Sequence, residues 1–164
     1  YVAVGCCGHG VCWLCAVRLR VVVRDLRCPM CKKELEEVVL ADSLPAAVDL
    51  LRADSGRQAG KAQRARTCRD QSSGIIYMTA EVRDEVGRLF DYRCWLCEAK
   101  GSVRCFSTLD ALSQHLHNEH RRQFCRTCLY GRRVFLHEQI LYSTGDLERH
   151  RREGDGLAQL GRGI

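Results

Sequence analysis

The sequence predicts a series of small α+β modules held together by metal rather than by one large core. Three observations carry that prediction. Twelve of the 164 residues are cysteine, well above ordinary usage for so short a chain. Eight of them form four Cys-x2-Cys pairs: Cys12/Cys15, Cys28/Cys31, Cys94/Cys97 and Cys125/Cys128. Histidines follow two of the pairs in stretches with helical spacing, His115 and His120 after one and His150 after the other. A two-residue loop makes a poor disulfide, whereas Cys-x2-Cys readily brackets one tetrahedral zinc. No stretch reads as a secretory leader or a membrane span. Zinc, no membrane, and a reducing compartment, cytosolic or nuclear, are therefore expected.

The first module spans residues 1–40. Its ligand order is Cys7-x-His9-x2-Cys12-x2-Cys15, then Cys28-x2-Cys31. That order interleaves two ligand sets. It resembles the last six of the eight ligands of a RING finger, the zinc domain of most ubiquitin ligases. The resemblance implies a cross-brace, with Cys7, His9, Cys28 and Cys31 on one zinc. Cys12 and Cys15 would share a second zinc with a further Cys-x2-Cys pair, which does not occur before Tyr1. The expectation is a cross-brace RING truncated at its N-terminus. By the same resemblance, Pro29 contacts a ubiquitin-conjugating enzyme and Lys32 touches both ubiquitin and that enzyme. Trp13 and Leu14 are further groove candidates. Trp13 reads equally well as a core aromatic, and Lys32 as a solvated lysine. Val21, Val22 and Val23 are expected in the small core. So small a domain buries too little apolar surface to fold alone, so zinc must supply much of its folding free energy. A RING ligase has no nucleophile of its own, and Cys6, beside a ligand and without an evident base, reads as structural or incidental.

Residues 41–73 read as a flexible connector. Pro45 interrupts a weakly helical stretch, and from Ala53 to Ser73 the chain is rich in Gly, Ser, Gln and Arg without a large apolar residue. Such a composition buries no core. Residues 74–93 follow as strand and helix. Gly74 to Met78 reads as a strand, and Thr79 caps a helix whose Val82, Val86, Leu89 and Phe90 form one apolar face.

Residues 94–120 read as a ββα-like zinc finger. Cys94 and Cys97 precede a core Phe106, a core Leu112, and then His115 and His120, with only the hairpin lengthened. His117 points off the shared helix face. Residues 121–164 begin a second such finger with Cys125, Cys128 and His150. Its Val134, Phe135, Ile140 and Leu141 suggest a hairpin. Its fourth ligand is expected beyond Ile164, so the sequence reads as cut at both ends.

The formal net charge is +6, and zinc sites of these compositions alter it little. A basic surface suits a polyanion such as RNA and also maintains solubility. Arg121, Arg122, Arg132, Arg133, Arg149, Arg151 and Arg152 gather around the finger pair, as phosphate contacts or as a solvated face. Base-reading helix positions hold only Thr108, Ala111 and Gln114, and four residues separate the fingers. Both features speak against sequence-specific DNA recognition.

The whole order, RING, connector, strand and helix, then fingers, resembles the RING and multi-finger ubiquitin ligases that sense collided ribosomes. Phe124 to Asp155 carries the closest likeness, notably Glu138, Tyr142, Ser143 and the run from Leu147 to Asp155. The resemblance implies a cytoplasmic RING-type E3 ubiquitin transferase, with structural zinc and no catalytic residue of its own. It would act in ribosome quality control on small-subunit ribosomal proteins. Its partners would be a conjugating enzyme, ubiquitin, and the small subunit through the rRNA backbone. The alternative is a non-catalytic RNA- or ribosome-binding finger protein with a defective RING.

Overall fold

The computed structural model describes residues 1–55 and 67–155. The chain divides into two units, Tyr1–Arg88 and Leu89–Ile164. A five-stranded sheet organises the first. Strand β1 (Val2–Gly5) pairs antiparallel with β2 (Gly10–Cys12) on one side and with β3 (Val38–Ala41) on the other. β3 runs parallel to β5 (Ile75–Tyr77), whose far edge takes β4 (Cys68–Asp70) antiparallel, giving the order β2-β1-β3-β5-β4.

Val38 to Ala41 are all buried, the continuous apolar run of a strand covered on both faces. One face carries α2 (Leu44–Ser55), whose Ala47 and Leu50 pack with Val4, Val39, Ala41 and Ile76. On the other, Ala3, Gly5 and Val38 line a small cavity together with Ala16, Leu19 and Leu35. Ala16 belongs to α1 (Trp13–Val17), which runs on into a π-helical turn, Arg18–Val23. α3 (Ala80–Arg88) lies against β5 with Val82 and Val86 buried, its start capped by Thr79 Oγ1 accepting from the Val82 amide at 3.4 Å.

The expected connector is corrected here. Residues 44–55 are helix and residues 68–70 are strand, while residues 56–66 lie outside the described residues. Pro45 does not interrupt the helix because it sits in the first turn, where its missing N–H has no partner to lose. β4 needs no large apolar side chain, since its backbone ladder to β5 holds it. The RING expected over 1–40 accordingly shares one sheet with residues 68–77. The valines of the π turn also depart from expectation: Val21, Val22 and Val23 remain part-exposed, and Arg20 is the side chain that turns inward.

Arg20 is 6% exposed. Its guanidinium donates to Ser73 O at 2.6 Å, Leu35 O at 2.8 Å and Glu36 O at 2.5 Å. One cation thus joins the π turn to segments 15 and 53 residues away in sequence. Gly74 follows immediately at φ +65°, and a Cβ there would overlap the Glu36 carbonyl and the Arg20 guanidinium.

In the second unit, β6 (Tyr92–Arg93) and β7 (Cys105–Phe106) form a hairpin around the short α4 (Trp95–Glu98). α5 (Leu109–His120) is capped by Thr108 and ends at Arg121 in the left-handed region. β8 (Gln123–Phe124) leads into α6 (Arg126–Gly131), a 3-10 turn at Leu136–Glu138, β9 (Leu141–Tyr142) and α7 (Thr144–Glu153). The hairpin expected over 134–141 is thus a 3-10 turn leading into β9, and the pairing is between β8 and β9. Glu138 explains the turn, its carboxylate accepting from the Phe135 amide at 2.9 Å. Phe124, Leu136 and Leu141 of this finger pack on the Cys94, Cys97, Leu112 and Leu116 cluster of the finger before it. The second finger also keeps a cluster of its own, Cys125, Tyr142 and Leu147.

Replacing Gly74 by Ala is expected to cost about 1–3 kcal/mol from backbone strain alone. Arg20→Met leaves three carbonyls without their donor, at about 1–3 kcal/mol for each one that stays buried and unsatisfied. Urea melting of both variants checks this, and midpoints equal to the parent would contradict it.

Candidate metal centres

Each Cys-x2-Cys pair folds as a knuckle that turns two backbone N–H groups toward its first sulfur. Leu14 and Cys15 serve Cys12, Met30 and Cys31 serve Cys28, Leu96 and Cys97 serve Cys94, and Thr127 and Cys128 serve Cys125. Such donors favour thiolate over thiol. Burial works to raise the Cys28 thiol, yet the two amides and the neighbouring Cys7 and Cys31 outweigh it and bring it down to about 6. The Cys94 thiol stays raised by burial. Burial also lowers the basicity of His120 and so favours its neutral, metal-binding form.

Three clusters gather their ligand atoms within 4.8 Å of one another: Cys7, His9, Cys28 and Cys31; Cys94, Cys97, His115 and His120; and Cys125, Cys128 and His150. In the first, His9 Nδ1 lies 3.8 Å from Cys28 Sγ. In the second, His120 Nε2 is 3.3 Å from Cys94 Sγ and 3.2 Å from Cys97 Sγ, and His115 Nε2 is 3.3 Å from Cys97 Sγ. In the third, His150 Nε2 is 3.2 Å from Cys128 Sγ. A tetrahedral zinc with ordinary Zn–S and Zn–N bonds has edges of about 3.3–3.8 Å. Spacing and donor chemistry both fit that ion, and all twelve cysteines are free.

Cys12 and Cys15 adjoin each other, but no third ligand joins them among the described residues. His117 is exposed on α5, away from the cluster. His137 stacks on Phe135 at 5.8 Å rather than joining Cys125 and Cys128. Pro29 and Lys32 are exposed at the rim of the first cluster, and Lys32 Nζ donates to Pro29 O at 3.2 Å. Trp13 and Leu14 are part-buried, and Trp13 meets Tyr1 edge-on at 5.7 Å. Asp155, which ends the run carrying the family likeness but received no role from the sequence, faces His150 Nδ1 at 2.8 Å. Only its place two residues beyond the end of a helix bearing a ligand histidine hinted at it.

Cross-strung cysteines on a small sheet, followed by Cys-x2-Cys knuckles facing helix histidines, define a RING-type zinc module with a pair of fingers. Residues 1–58 match the family model described as the ZNF598 RING finger domain. The chain is 29% identical to the human E3 ubiquitin-protein ligase ZNF598 over 153 residues, 93% of this chain and 15% of that protein. It is 28% identical to the E3 ubiquitin-protein ligase hel2 of Schizosaccharomyces pombe over 154 residues, 94% of this chain and 19% of that one. With HEL2 of Saccharomyces cerevisiae the identity is 24% over 156 residues, 94% and 22% of the two chains. The chain is thus similar to these ligases over most of its own length, while spanning 15–22% of theirs. No solved structure matches it.

His120→Ala should abolish tight zinc binding at the Cys94 centre, whereas His117→Ala should leave it unchanged. Zinc counting under chelator competition separates the two. Equal loss in both variants would reassign the ligand. Acidification should release the metal as the thiolates protonate.

Proposed function

We propose that this chain is the RING and finger region of an E3 ubiquitin transferase that positions a ubiquitin-charged conjugating enzyme. The carrying observation is the tip of the knuckle at Cys28 and Cys31. Pro29 and Met30 stand exposed there, Met30 at 69%. They lie beside a shallow depression lined by Leu19, Asp25, Arg27, Pro29 and Lys32. An apolar tip with a basic rim suits a protein partner more than a small substrate. Zinc is the metal of all three clusters, and its contribution is to hold the knuckles rigid. Catalysis is positional: the RING restrains the thioester so that an incoming amine attacks from a productive geometry. Pro29 and Met30 dock the conjugating enzyme, Lys32 meets the enzyme and ubiquitin, and Trp13 and Leu14 support the rim.

The finger pair docks on the ribosome in this reading. Arg121, Arg122, Arg149, Arg151 and Arg152 are exposed on the second unit and suit an RNA phosphate backbone. Small-subunit ribosomal proteins on stalled or collided ribosomes are the substrates, and the cytoplasm, whose reducing poise suits free cysteines, is the place of action.

Single-turnover discharge of ubiquitin from a charged conjugating enzyme onto free lysine tests the transferase. The full-length protein carrying this region is used, with several conjugating enzymes. Pro29→Ala should slow discharge about tenfold or more, equivalent to about 1.4 kcal/mol, and Lys32→Ala should slow it less. Folded, zinc-loaded protein that binds ribosomes without stimulating discharge would replace this reading with a non-catalytic ribosome-binding role.

A further inference from the structure

We propose that Asp155 and Tyr142 form the outer support of the last metal centre, holding His150 with Nδ1 protonated and Nε2 turned to the metal. The inference rests on zinc filling that cluster and is independent of ubiquitin transfer. A neutral imidazole carries one N–H, and the nitrogen left without it is the ligand. Here the two nitrogens face opposite partners. Nδ1 lies 2.8 Å from Asp155 Oδ1, an ion-pair distance at which the buried ring nitrogen is not yet aligned for a hydrogen bond, and Nε2 lies 3.2 Å from Cys128 Sγ. A carboxylate that accepts from Nδ1–H fixes ring orientation and tautomer and strengthens the donor at Nε2.

The support is itself supported. The single Tyr142 hydroxyl proton is shared between the two Asp155 oxygens, at 2.8 and 2.9 Å, so the carboxylate is held from behind. The Tyr142 ring also stacks on His150, with centroids 4.6 Å apart and planes 22° apart. Asp155 and Tyr142 are both buried, at 8% exposure for the Asp155 side chain and 4% for Tyr142. These burials, with the shared Tyr142 hydrogen bond, the close His150–Asp155 pair and a stack, describe a built site rather than a surface coincidence.

Gly154 makes the arrangement possible. On an uninterrupted helix His150 and Asp155 would point about 140° apart. α7 stops at Glu153, the Gly154 amide bonds back to His150 O at 2.8 Å, and Gly154 takes φ +77°. That left-handed step turns the chain back, so the next side chain returns to the ring it has just passed. The first finger is built differently. Neither His115 nor His120 has a carboxylate hydrogen-bond partner among the described residues, and His115 leans on Phe106 at 4.8 Å instead.

The test uses the full chain loaded with zinc and titrated with a chromophoric chelator. Asp155→Ala should weaken one equivalent of zinc by about 10–100-fold, leaving the equivalent at Cys94, Cys97, His115 and His120 unmoved. Tyr142→Phe, which keeps the ring over His150, should weaken the same equivalent by a smaller factor. Long-range 1H–15N spectra of the parent should show His150 bound through Nε2 and protonated at Nδ1. Coordination through Nδ1 would overturn the proposal, as would unchanged zinc affinity in both variants. Should Asp155→Ala fail to fold, the Tyr142→Phe titration and the parent spectrum still decide. A parent chain that holds no zinc at Cys125, Cys128 and His150 would also overturn it, whatever the outcome for ubiquitin discharge.

Discussion

The two-residue knuckle is the constraint on which the structure depends. A Cys-x2-Cys turn sets two sulfurs side by side and, in the same few residues, turns two backbone amides toward the first of them. Those amides stabilise negative charge before any histidine arrives. What remains for the rest of each module is to carry the other ligands to the knuckle. The sheet does this for His9, which follows β1 by four residues. The helices α5 and α7 do it for His115, His120 and His150, with Thr108 and Ser143 capping their starts. Short elements of two to four residues cannot stand alone by packing, so the metal clusters and the knuckles are where their stability originates.

A second tie makes the RING part of something larger. β3 is central to its sheet only because β5 and β4 continue beyond it, and the Arg20 guanidinium ties that continuation to the π turn. Satisfying three carbonyls with one buried cation is costly in desolvation, and the arrangement persists because each acceptor is a backbone oxygen that would otherwise go unpaired. The surface near Pro29 therefore sits on a body whose rigidity comes partly from residues 68–77. The finger pair shows the same economy of parts. Phe124, Leu136 and Leu141 fill the core of the preceding finger, so the short link between the fingers leaves them joined rather than strung.

How the function follows is a matter of rigidity more than of reactive groups. The cysteines of the clusters are committed to structure, and the exposed side chains at the knuckle tip are a proline, a methionine and a lysine. Under the proposed transferase reading, such a surface would contribute by holding a partner in one pose, the role that proximity and orientation give a scaffold.

The spacing of Cys, His, Phe and Leu by itself pointed to the finger clusters, because a tetrahedral site and a helical turn each impose a short, local spacing, while the grouping of Cys7 and His9 with Cys28 and Cys31 came from the resemblance to a RING. Cys94, Cys97, His115 and His120 could be named from the chain alone, and so could the resemblance to a RING. The partners of the sheet could not. β3 and β5 are three or four residues each and separated by α2 and β4, so their parallel pairing leaves no local signature. Arg20 reads as a surface arginine until its three carbonyls are brought to it. Asp155 reads as a helix-end acid until Gly154 turns it back onto His150. Local periodicity decided which residues could bind metal; only the tertiary structure decided which polar groups stand behind them, because those contacts are made by chain reversals and long-range pairings that no spacing rule encodes.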